Sequence, residues 1–184
     1  MGRTSHNWYR KATGVKETKI EGKRMKTIEL IVPCYNEEKC IKLFYNAVKE
    51  VFQELPAFHF IITYVDDGSK DNTLDEIKRV VETANEGLVQ YIALSRNFGK
   101  ESAIYAGLSK STGDYVALID ADLQHPPKLL VQMIDAIEKE GYDRATARRV
   151  SRKGEPLIRS VFSKAFYSII NYITVLDLIS GSTD

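Results

Sequence analysis

The sequence alternates short apolar runs with amphipathic stretches four times, and this alternation limits the folds open to it more than any other feature. The apolar runs cover residues 26–32, 58–65, 88–94 and 115–119. After each run, apolar residues recur three or four positions apart, which is typical of a helix. Strands that alternate with helices form a parallel sheet. We therefore expect an α/β fold with a mostly parallel sheet and helices on both faces.

Two of the predicted helices carry start signals. Asn36 is a suitable N-cap for the first, and Glu37 and Glu38 would then lie in its first turn, where the helix dipole favours acids. The second helix begins with residues 73–76, Thr-Leu-Asp-Glu, which is a capping-box pattern. These signals predict helices that begin directly after the first and second acidic turns.

The later part of the chain is less regular. Helices are predicted over residues 100–110 and 127–140, with Gly141 just past the end of the second. Residues 143–148 are too charged and alanine-rich to distinguish a strand from a loop. Residues 157–172 have the spacing of an amphipathic helix.

Composition indicates a globular protein with one core. The chain has 184 residues, 43% of them hydrophobic and 28% charged, with a net charge of +1. Residues 1–25 are rich in Lys and Arg and poor in apolar residues, so we expect a disordered or expression-derived basic arm and no nucleic-acid partner. Cys34 and Cys40 lack partners at metal-ligand spacing, which favours a reducing compartment. The longest uncharged run, residues 165–176, is shorter than the roughly 20 residues that a membrane-spanning helix needs.

The fourth apolar run ends in an acidic pair, Asp120 and Asp122. If the strand continues, its two-residue period points both carboxylates the same way, at the sheet edge where α/β proteins bind ligands. Two carboxylates without a closed cage suit Mg²⁺ or Mn²⁺, which complete their coordination with water and substrate phosphates. Asp is also common in turns, so the pair alone is a weak signal.

Acidic or polar clusters follow three of the four runs. They occupy residues 35–37, 66–69 and 120–122, and Gly68 and Gly99 allow close backbone approach. The carboxyl ends of parallel strands meet at one edge, so the clusters predict one nucleotide site. The chain has neither a Gly-x-Gly-x-x-Gly fingerprint nor a Gly-Lys-Ser/Thr loop, so a divalent metal would have to neutralise the phosphates.

Four stretches of the sequence, taken in order, resemble the motifs of the GT-A glycosyltransferases of family 2. They are Ile-Val-Pro-Cys-Tyr-Asn-Glu at 31–37, Val-Asp-Asp-Gly-Ser at 65–69, Ser-Arg-Asn-Phe-Gly-Lys at 95–100 and Asp-Ala-Asp-Leu-Gln-His-Pro-Pro at 120–127. Within that family they are similar to the polyprenyl-phosphate glycosyltransferases, the group of dolichyl-phosphate mannose synthase and bactoprenol glucosyltransferase. The resemblance implies a GT-A, Rossmann-like catalytic domain over residues 26–184.

The resemblance also implies roles for individual residues. Asp66 would hold the base or ribose, Asp122 the metal, and Gln124 the metal or the diphosphate. Asp67 is retained as a candidate, although it could instead brace its turn. The nucleotide-contacting positions implied in this way are Pro33, Tyr35, Glu37, Val65, Asp66, Asp67, Asp120, Ala121 and Gln124.

Two further site residues are implied near the end of the chain. Arg149 matches the basic residue that faces phosphate in the family, although residues 144–147 lack the apolar strand found before it in relatives; Arg152 and Lys153 could simply form a solvated loop. Asp184 falls where the family places an acid near the acceptor. Family members continue through further acceptor-site residues and usually two membrane helices, so we expect a truncated catalytic domain.

The activity implied is transfer of a hexose, with inversion, from UDP-glucose or a similar donor to a polyprenyl phosphate at the cytoplasmic face of the membrane. Two alternatives stay open. Asp120 could be the nucleophile of a haloacid-dehalogenase-type phosphatase, although Gln124 stands where that motif has Thr. The chain could also be a nucleotide-sugar binding fragment without turnover.

The basic residues of 144–164 and the apolar face that follows predict contact with an anionic membrane surface. The same apolar face could instead pack on the sheet or on a second copy of the chain, so a homo-oligomer also stays open.

Overall fold

The computed structural model describes residues 9–10, 19–20, 23–85 and 88–147. Contacts divide the chain into two compact units, residues 1–132 and 133–184. In chain order the elements are β1 (Tyr9–Arg10), β2 (Lys19–Ile20), β3 (Lys23–Arg24), β4 (Lys26–Cys34), α1 (Ile41–Glu54), β5 (Phe58–Asp66), α2 (Thr73–Thr83), β6 (Val89–Ala93), α3 (Lys100–Leu108), β7 (Tyr115–Leu118) and α4 (Leu129–Glu140).

The first unit is built on a five-stranded sheet in the order β1-β6-β5-β4-β7. Strands β4 to β7 are parallel, and β1 pairs with β6 in the antiparallel direction. In the register of β4 and β5, Pro33 lies opposite Val65 and Cys34 opposite Asp66, so the two strands end side by side. The predicted parallel sheet is confirmed.

Helices cover both faces of this sheet. On one face, the Phe44 ring of α1 packs edge-on against Tyr64 of β5, with 6.1 Å between ring centroids. On the other face, α3 lies so close to β4 that a Cβ on Gly107 would come within 2.4 Å of Ile31 Cγ2. Because side chains alternate along a strand, neighbouring residues such as Tyr64 and Val65 serve opposite layers of the core.

A buried carboxylate, which the sequence did not point to, joins the strands to the turn before β7. Glu29 is fully buried, and its Oε1 accepts hydrogen bonds from Thr63 Oγ1 (2.6 Å) and Gln90 Nε2 (3.2 Å). Its Oε2 accepts from the backbone N–H groups of Thr112 (2.8 Å) and Gly113 (3.1 Å). Glu29 therefore fixes the turn that leads into β7.

The predicted start of the first helix was wrong, whereas the second helix begins at Thr73 as predicted but without the predicted capping box. Helix α1 begins at Ile41 with Cys40 as its N-cap, so Asn36 does not cap it and Glu37 lies outside its first turn. Asn36 instead adopts a left-handed conformation (φ 56°) in a loop. In α2, Thr73 is already helical, and its hydroxyl bonds to Asp71 Oδ1 (2.5 Å), so no capping box forms.

The fourth apolar run is less buried than predicted, because β7 is an edge strand among the strands that the structure describes. Val116 and Leu118 are 42% and 52% exposed. The strand stops at Leu118, so Asp120 and Asp122 follow it in a turn and are not on an extended strand. The prediction that both carboxylates extend in the same direction from one continuous strand was therefore wrong.

The structure tests some of the predictions made for the residues after α4. Gly141, just past α4, has the positive φ (75°) expected there. Residues 143–147 contain no strand. The predicted helix over 157–172 lies outside the described residues.

The basic arm contributes short strands where the structure describes it. The strand β1 extends the sheet at β6, and β2 pairs with β3. The division of the chain at residue 25 stays a prediction. In the part of the chain that the structure describes, every helix is too short or too polar to cross a bilayer.

Candidate active site

A pocket of about 270 Å³ opens at the carboxyl ends of the parallel strands, within the first unit. Residues after each of the four parallel strands contribute to it, as expected for an α/β sheet. Its lining consists of Pro33, Cys34, Tyr35, Glu37, Asp67, Asn97, Lys100, Ala103, Asp120 and Asp122.

Six of the predicted site residues line this pocket, and the other four that the structure describes do not. The six are Pro33, Tyr35, Glu37, Asp67, Asp120 and Asp122. Val65 and Ala121 are buried side chains, and Val65 packs against Ile31 in the core. Gln124 lies just beyond the lining, with its backbone N–H bonded to Asp122 Oδ1 (3.0 Å). Arg149 and Asp184 lie outside the described residues.

Four carboxylates give the pocket a negative potential. Burial raises the pKa of Glu37, and the nearby Asp122 and Asp120 raise it further, against a lowering hydrogen bond from Cys40. A carboxylate such as Glu37, whose pKa is raised by neighbouring carboxylates, is stabilised in its ionised form when a cation binds beside it.

Lys100 is a pocket residue that the sequence reasoning missed. Its Nζ lies 2.9 Å from each carboxylate oxygen of Asp120. The signal was present, because the stretch 95–100 follows the third strand just as the acidic clusters follow the others. Asn97, in the same stretch, also lines the pocket.

Hydrogen bonds join the loop after β4 to the loop after β5. The Asn36 N–H donates to Ser69 Oγ (2.9 Å), and Asn36 Oδ1 accepts from the Lys70 N–H (2.8 Å). The Glu37 N–H donates to Thr73 Oγ1 (2.7 Å). These bonds hold the backbone of residues 35–37 and explain why Asn36 takes its left-handed conformation instead of capping α1.

Glu38 and Asp71 add further hydrogen bonds between these two loops. Glu38 Oε2 accepts from both the backbone N–H and the side-chain amide of Asn72, each at 3.1 Å. Asp71 accepts from the N–H groups of Thr73 (3.0 Å) and Glu38 (3.3 Å). Slight burial opposes ionisation of Asp71, but these bonds and the Thr73 hydroxyl lower its pKa overall. Glu38 thus braces the neighbouring loop and does not cap its own helix.

Asp67 and Gly68 connect the second loop to the third. The Asp67 carboxylate accepts from the N–H groups of Phe98 (2.8 Å) and Gly99 (2.9 Å). A Cβ on Gly68, whose φ is 67°, would lie 2.4 Å from the backbone carbon of Arg96. Asp67 therefore braces the turn, and the close approach expected at Gly68 is present.

Asp66 is 2% exposed and lies outside the pocket lining. Its two carboxylate oxygens are each 3.4 Å from the Ser69 N–H, which is long for a hydrogen bond. Burial raises its pKa, although Ser69 counteracts this in part.

The donor set suits an open metal site better than a closed one. Over residues 23–85 and 88–147, no group of three or more His, Cys, Asp or Glu side chains is arranged to hold a metal ion by itself. Asp122 and Asp120 nevertheless present hard oxygen donors to an open pocket. Mg²⁺ and Mn²⁺ bind through one or two carboxylates together with water and phosphates, so the residues fit such an ion.

Sequence comparisons identify curated relatives of this chain. CsbB of Bacillus subtilis (strain 168) is 42% identical over 157 residues, which is 85% of this chain and 46% of that protein. The bactoprenol glucosyl transferase of Shigella phage SfX is 37% identical over 147 residues, or 80% of this chain and 47% of the relative. The chain thus spans about half the length of the curated relatives it matches.

Solved structures share the fold. S. aureus TarS superposes with a TM-score of 0.56 at 26% identity, over 71% of this chain and 23% of TarS. The mannosyltransferase PcManGT from Pyrobaculum calidifontis, solved in complex with GDP-Man and Mn²⁺, gives a TM-score of 0.54 at 25% identity. The match covers 61% of this chain and 32% of PcManGT. These matches confirm the expected GT-A fold.

The family profile described as Glycosyl transferase family 2 matches residues 29–180, a range that includes all the described residues that line the pocket. A match of this extent shows the family, and it decides against the phosphatase that the Asp120 and Asp122 pair had left open. The chain belongs to glycosyl transferase family 2.

Proposed function

We propose that this domain binds a nucleotide diphosphate sugar with Mg²⁺ or Mn²⁺ and transfers the hexose, with inversion, to a polyprenyl phosphate at the cytoplasmic membrane face. The donor is UDP-glucose or a close relative. The observation that carries the proposal is the convergence of Glu37, Asp120, Asp122 and Lys100 on one pocket at the carboxyl ends of the sheet.

The pocket's charges favour a diphosphate only when a cation accompanies it. Among the described residues, four carboxylates and one lysine line the pocket, and these charges would repel a bare diphosphate. Asp122 would hold the metal, with Asp120 beside it; the contribution of Gln124 stays a prediction. When bound, the metal would supply charge that stabilises the diphosphate leaving group.

The transfer reaction needs little acid–base catalysis from this chain. An oxygen of the acceptor phosphate forms the bond to the anomeric carbon while the bond to the donor diphosphate breaks, and the nucleoside diphosphate leaves with the electron pair. The acceptor is already an anion at neutral pH, so it needs positioning and desolvation more than a base. Arg149 and Asp184 would serve the phosphate and the acceptor, and both roles stay predictions.

The relatives support the choice of substrates. The name bactoprenol glucosyl transferase, carried by the Shigella phage SfX protein, supports glucose as the sugar and a polyprenyl lipid as the acceptor. The complex of PcManGT with GDP-Man and Mn²⁺ supports a metal-assisted nucleotide sugar donor. A lipid acceptor would place the reaction at a membrane surface.

A thermal-shift panel of UDP-glucose, GDP-mannose, UDP and GDP, each with and without Mn²⁺, tests the donor site. A ligand at about 100 times its Kd stabilises the folded state by about 2.7 kcal/mol, which is easily detected. We expect the largest shift when Mn²⁺ and one nucleotide are both present, and a much smaller one with either alone. Absence of any shift at millimolar nucleotide contradicts the proposal.

Transfer of labelled glucose from UDP-glucose into an extract of polyprenyl phosphate tests the acceptor. Labelled lipid that depends on Mn²⁺ supports the full reaction. Binding without labelled lipid favours the nucleotide-sugar binding fragment without turnover.

A further inference from the structure

The ion pair between Lys100 and Asp120 places a positive charge among the acids of the pocket. The two carboxylate oxygens of Asp120 are equally close to Lys100 Nζ, and both side chains are about half exposed. Among the ten pocket-lining residues in the part of the chain that the structure describes, Lys100 is the single basic one. The ammonium group of Lys100 is therefore already paired with Asp120, one of the carboxylates that a metal would use.

We propose that Lys100 is an internal counter-ion for Asp120, and that Asp120 exchanges it for the divalent metal when a nucleoside diphosphate binds. The released ammonium group then contacts the diphosphate. This inference rests on the proposed function and assigns Lys100 a role in it.

The ion pair is of the kind that exchanges easily. Half-exposed pairs of Lys and Asp contribute little net free energy, because solvent screens them and two side chains must be held in place. A divalent ion offers Asp120 twice the charge of an ammonium group. A diphosphate in turn offers Lys100 more charge than one carboxylate, and a lysine binds phosphate as a flexible point charge.

The backbone near Lys100 is held, so the exchange needs only a side-chain movement. Lys100 is the first residue of α3, directly after Gly99, whose N–H is fixed by Asp67 at 2.9 Å. The side chain is 53% exposed and has room to turn. Asp67 is therefore a positioning residue for the exchange, because its bond to the Gly99 N–H holds the backbone just before Lys100.

The exchange predicts effects of opposite sign for the two ligands. Replacing Lys100 by Met keeps the length of the side chain and removes the competing charge. Mn²⁺ alone should then bind about two- to fivefold more tightly, the range that an exposed ion pair spans. The nucleoside diphosphate with Mn²⁺ should bind about tenfold more weakly or worse, because a charge-assisted contact is lost.

The chain offers a matched control. Lys78 pairs with Asp75 at 2.9 Å, and the exposures of the two side chains, 44% and 61%, are close to those of the Lys100 pair. That pair lies on α2, outside the pocket lining. Lys78→Met should change neither affinity.

The experiment titrates the wild-type chain, Lys100→Met, Lys100→Arg and Lys78→Met with Mn²⁺ alone, followed by electron paramagnetic resonance of the free ion. Calorimetry then measures UDP or GDP, whichever the wild type binds, at saturating Mn²⁺, with the matching nucleoside as the phosphate-free probe. Lys100→Arg should retain most of the diphosphate affinity, and nucleoside affinity should be the same in all four proteins.

Tighter Mn²⁺ binding together with weaker diphosphate binding in Lys100→Met supports the exchange. Unchanged or weaker Mn²⁺ binding in that variant overturns it, as does an unchanged diphosphate affinity. A wild type that binds Mn²⁺ but no nucleoside diphosphate contradicts the proposed function, and the Mn²⁺ titration still decides whether Lys100 competes for Asp120. A wild type that binds neither overturns both.

Discussion

Asp67 accepts a hydrogen bond from the backbone N–H of Gly99 at 2.9 Å, and this bond ties the turn after β5 to the residue that precedes α3. The other carboxylate oxygen of Asp67 accepts from the Phe98 N–H at 2.8 Å. Asp67 is 3% exposed, so water cannot replace these bonds. One side chain thus fixes the position of the stretch that brings Lys100 to the pocket.

Replacing Asp67 by Asn should destabilise the domain by about 1–3 kcal/mol, because the amide group of the buried Asn side chain would turn a donor towards one of the two backbone donors that Asp67 now binds. Urea unfolding measures the loss. Asp75→Asn, at an exposed site on α2, serves as the control and should reduce the free energy of unfolding much less. Equal stability of the two variants would show that the Asp67 bonds contribute nothing.

Gly68→Ala should cost more stability than Gly141→Ala, although both glycines have a left-handed φ, of 67° and 75°. At Gly141 nothing lies within 4 Å of the added Cβ, so only the backbone strain of about 1–2 kcal/mol applies. At Gly68 the added carbon also meets the backbone of Arg96 at 2.4 Å. Urea unfolding of both variants should separate them, and equal losses would contradict the close packing of the two loops.

Asp66→Asn should raise the thermal midpoint at pH 8 and have less effect as the pH falls. Burial raises the pKa of Asp66 above its value in the unfolded chain, so the fold favours the neutral carboxyl. Stability from this group is therefore present at low pH and is lost as the pH rises through the raised pKa. The amide mimics the neutral form at every pH.

Thermal unfolding from pH 5 to pH 8 measures this difference, and we expect about 2–4 °C at the upper end, the shift that ~1 kcal/mol produces in a chain of this size. Asp75 gives the opposite control, because a hydrogen bond from Lys78 lowers its pKa. Asp75→Asn should give no gain at pH 8. A gain of equal size at both ends of the pH range would contradict the assignment to Asp66.

The basic segment of residues 144–164 should bind anionic membranes, with each Lys or Arg near the surface adding about 1 kcal/mol. Flotation with anionic liposomes measures this: the wild type should bind at low salt and dissociate at high salt. A double variant, Arg152→Glu with Lys153→Glu, should bind less. Flotation equal to that of the wild type would exclude this segment as the membrane contact.

The sequence predicted the fold and most of the pocket because both depend on simple patterns. Apolar runs of strand length and the residues that follow them are visible along the chain, and they led to Tyr35, Glu37, Asp120 and Asp122. Parallel strands bring their carboxyl ends to one edge whatever the details of the loops.

The features that were missed depend on contacts between distant parts of the chain. Asn36 has the side chain of an N-cap, but its bonds to Ser69 and Lys70, over 30 positions away, determine its conformation. Glu29 interrupts an apolar strand, and only its four partners in space explain its burial. Lys100 was part of a recognised motif, yet its role depends on the position of Asp120.

In the proposed function, the acidic pocket binds a nucleoside diphosphate through a metal held by Asp122. Calorimetry of UDP and GDP, with and without Mn²⁺, on the wild type and on Asp122→Ala tests this role of Asp122. We expect Mn²⁺ to strengthen nucleotide binding to the wild type and to have no such effect on Asp122→Ala. Binding to Asp122→Ala as tight as that of the wild type, with Mn²⁺ still required, would contradict it.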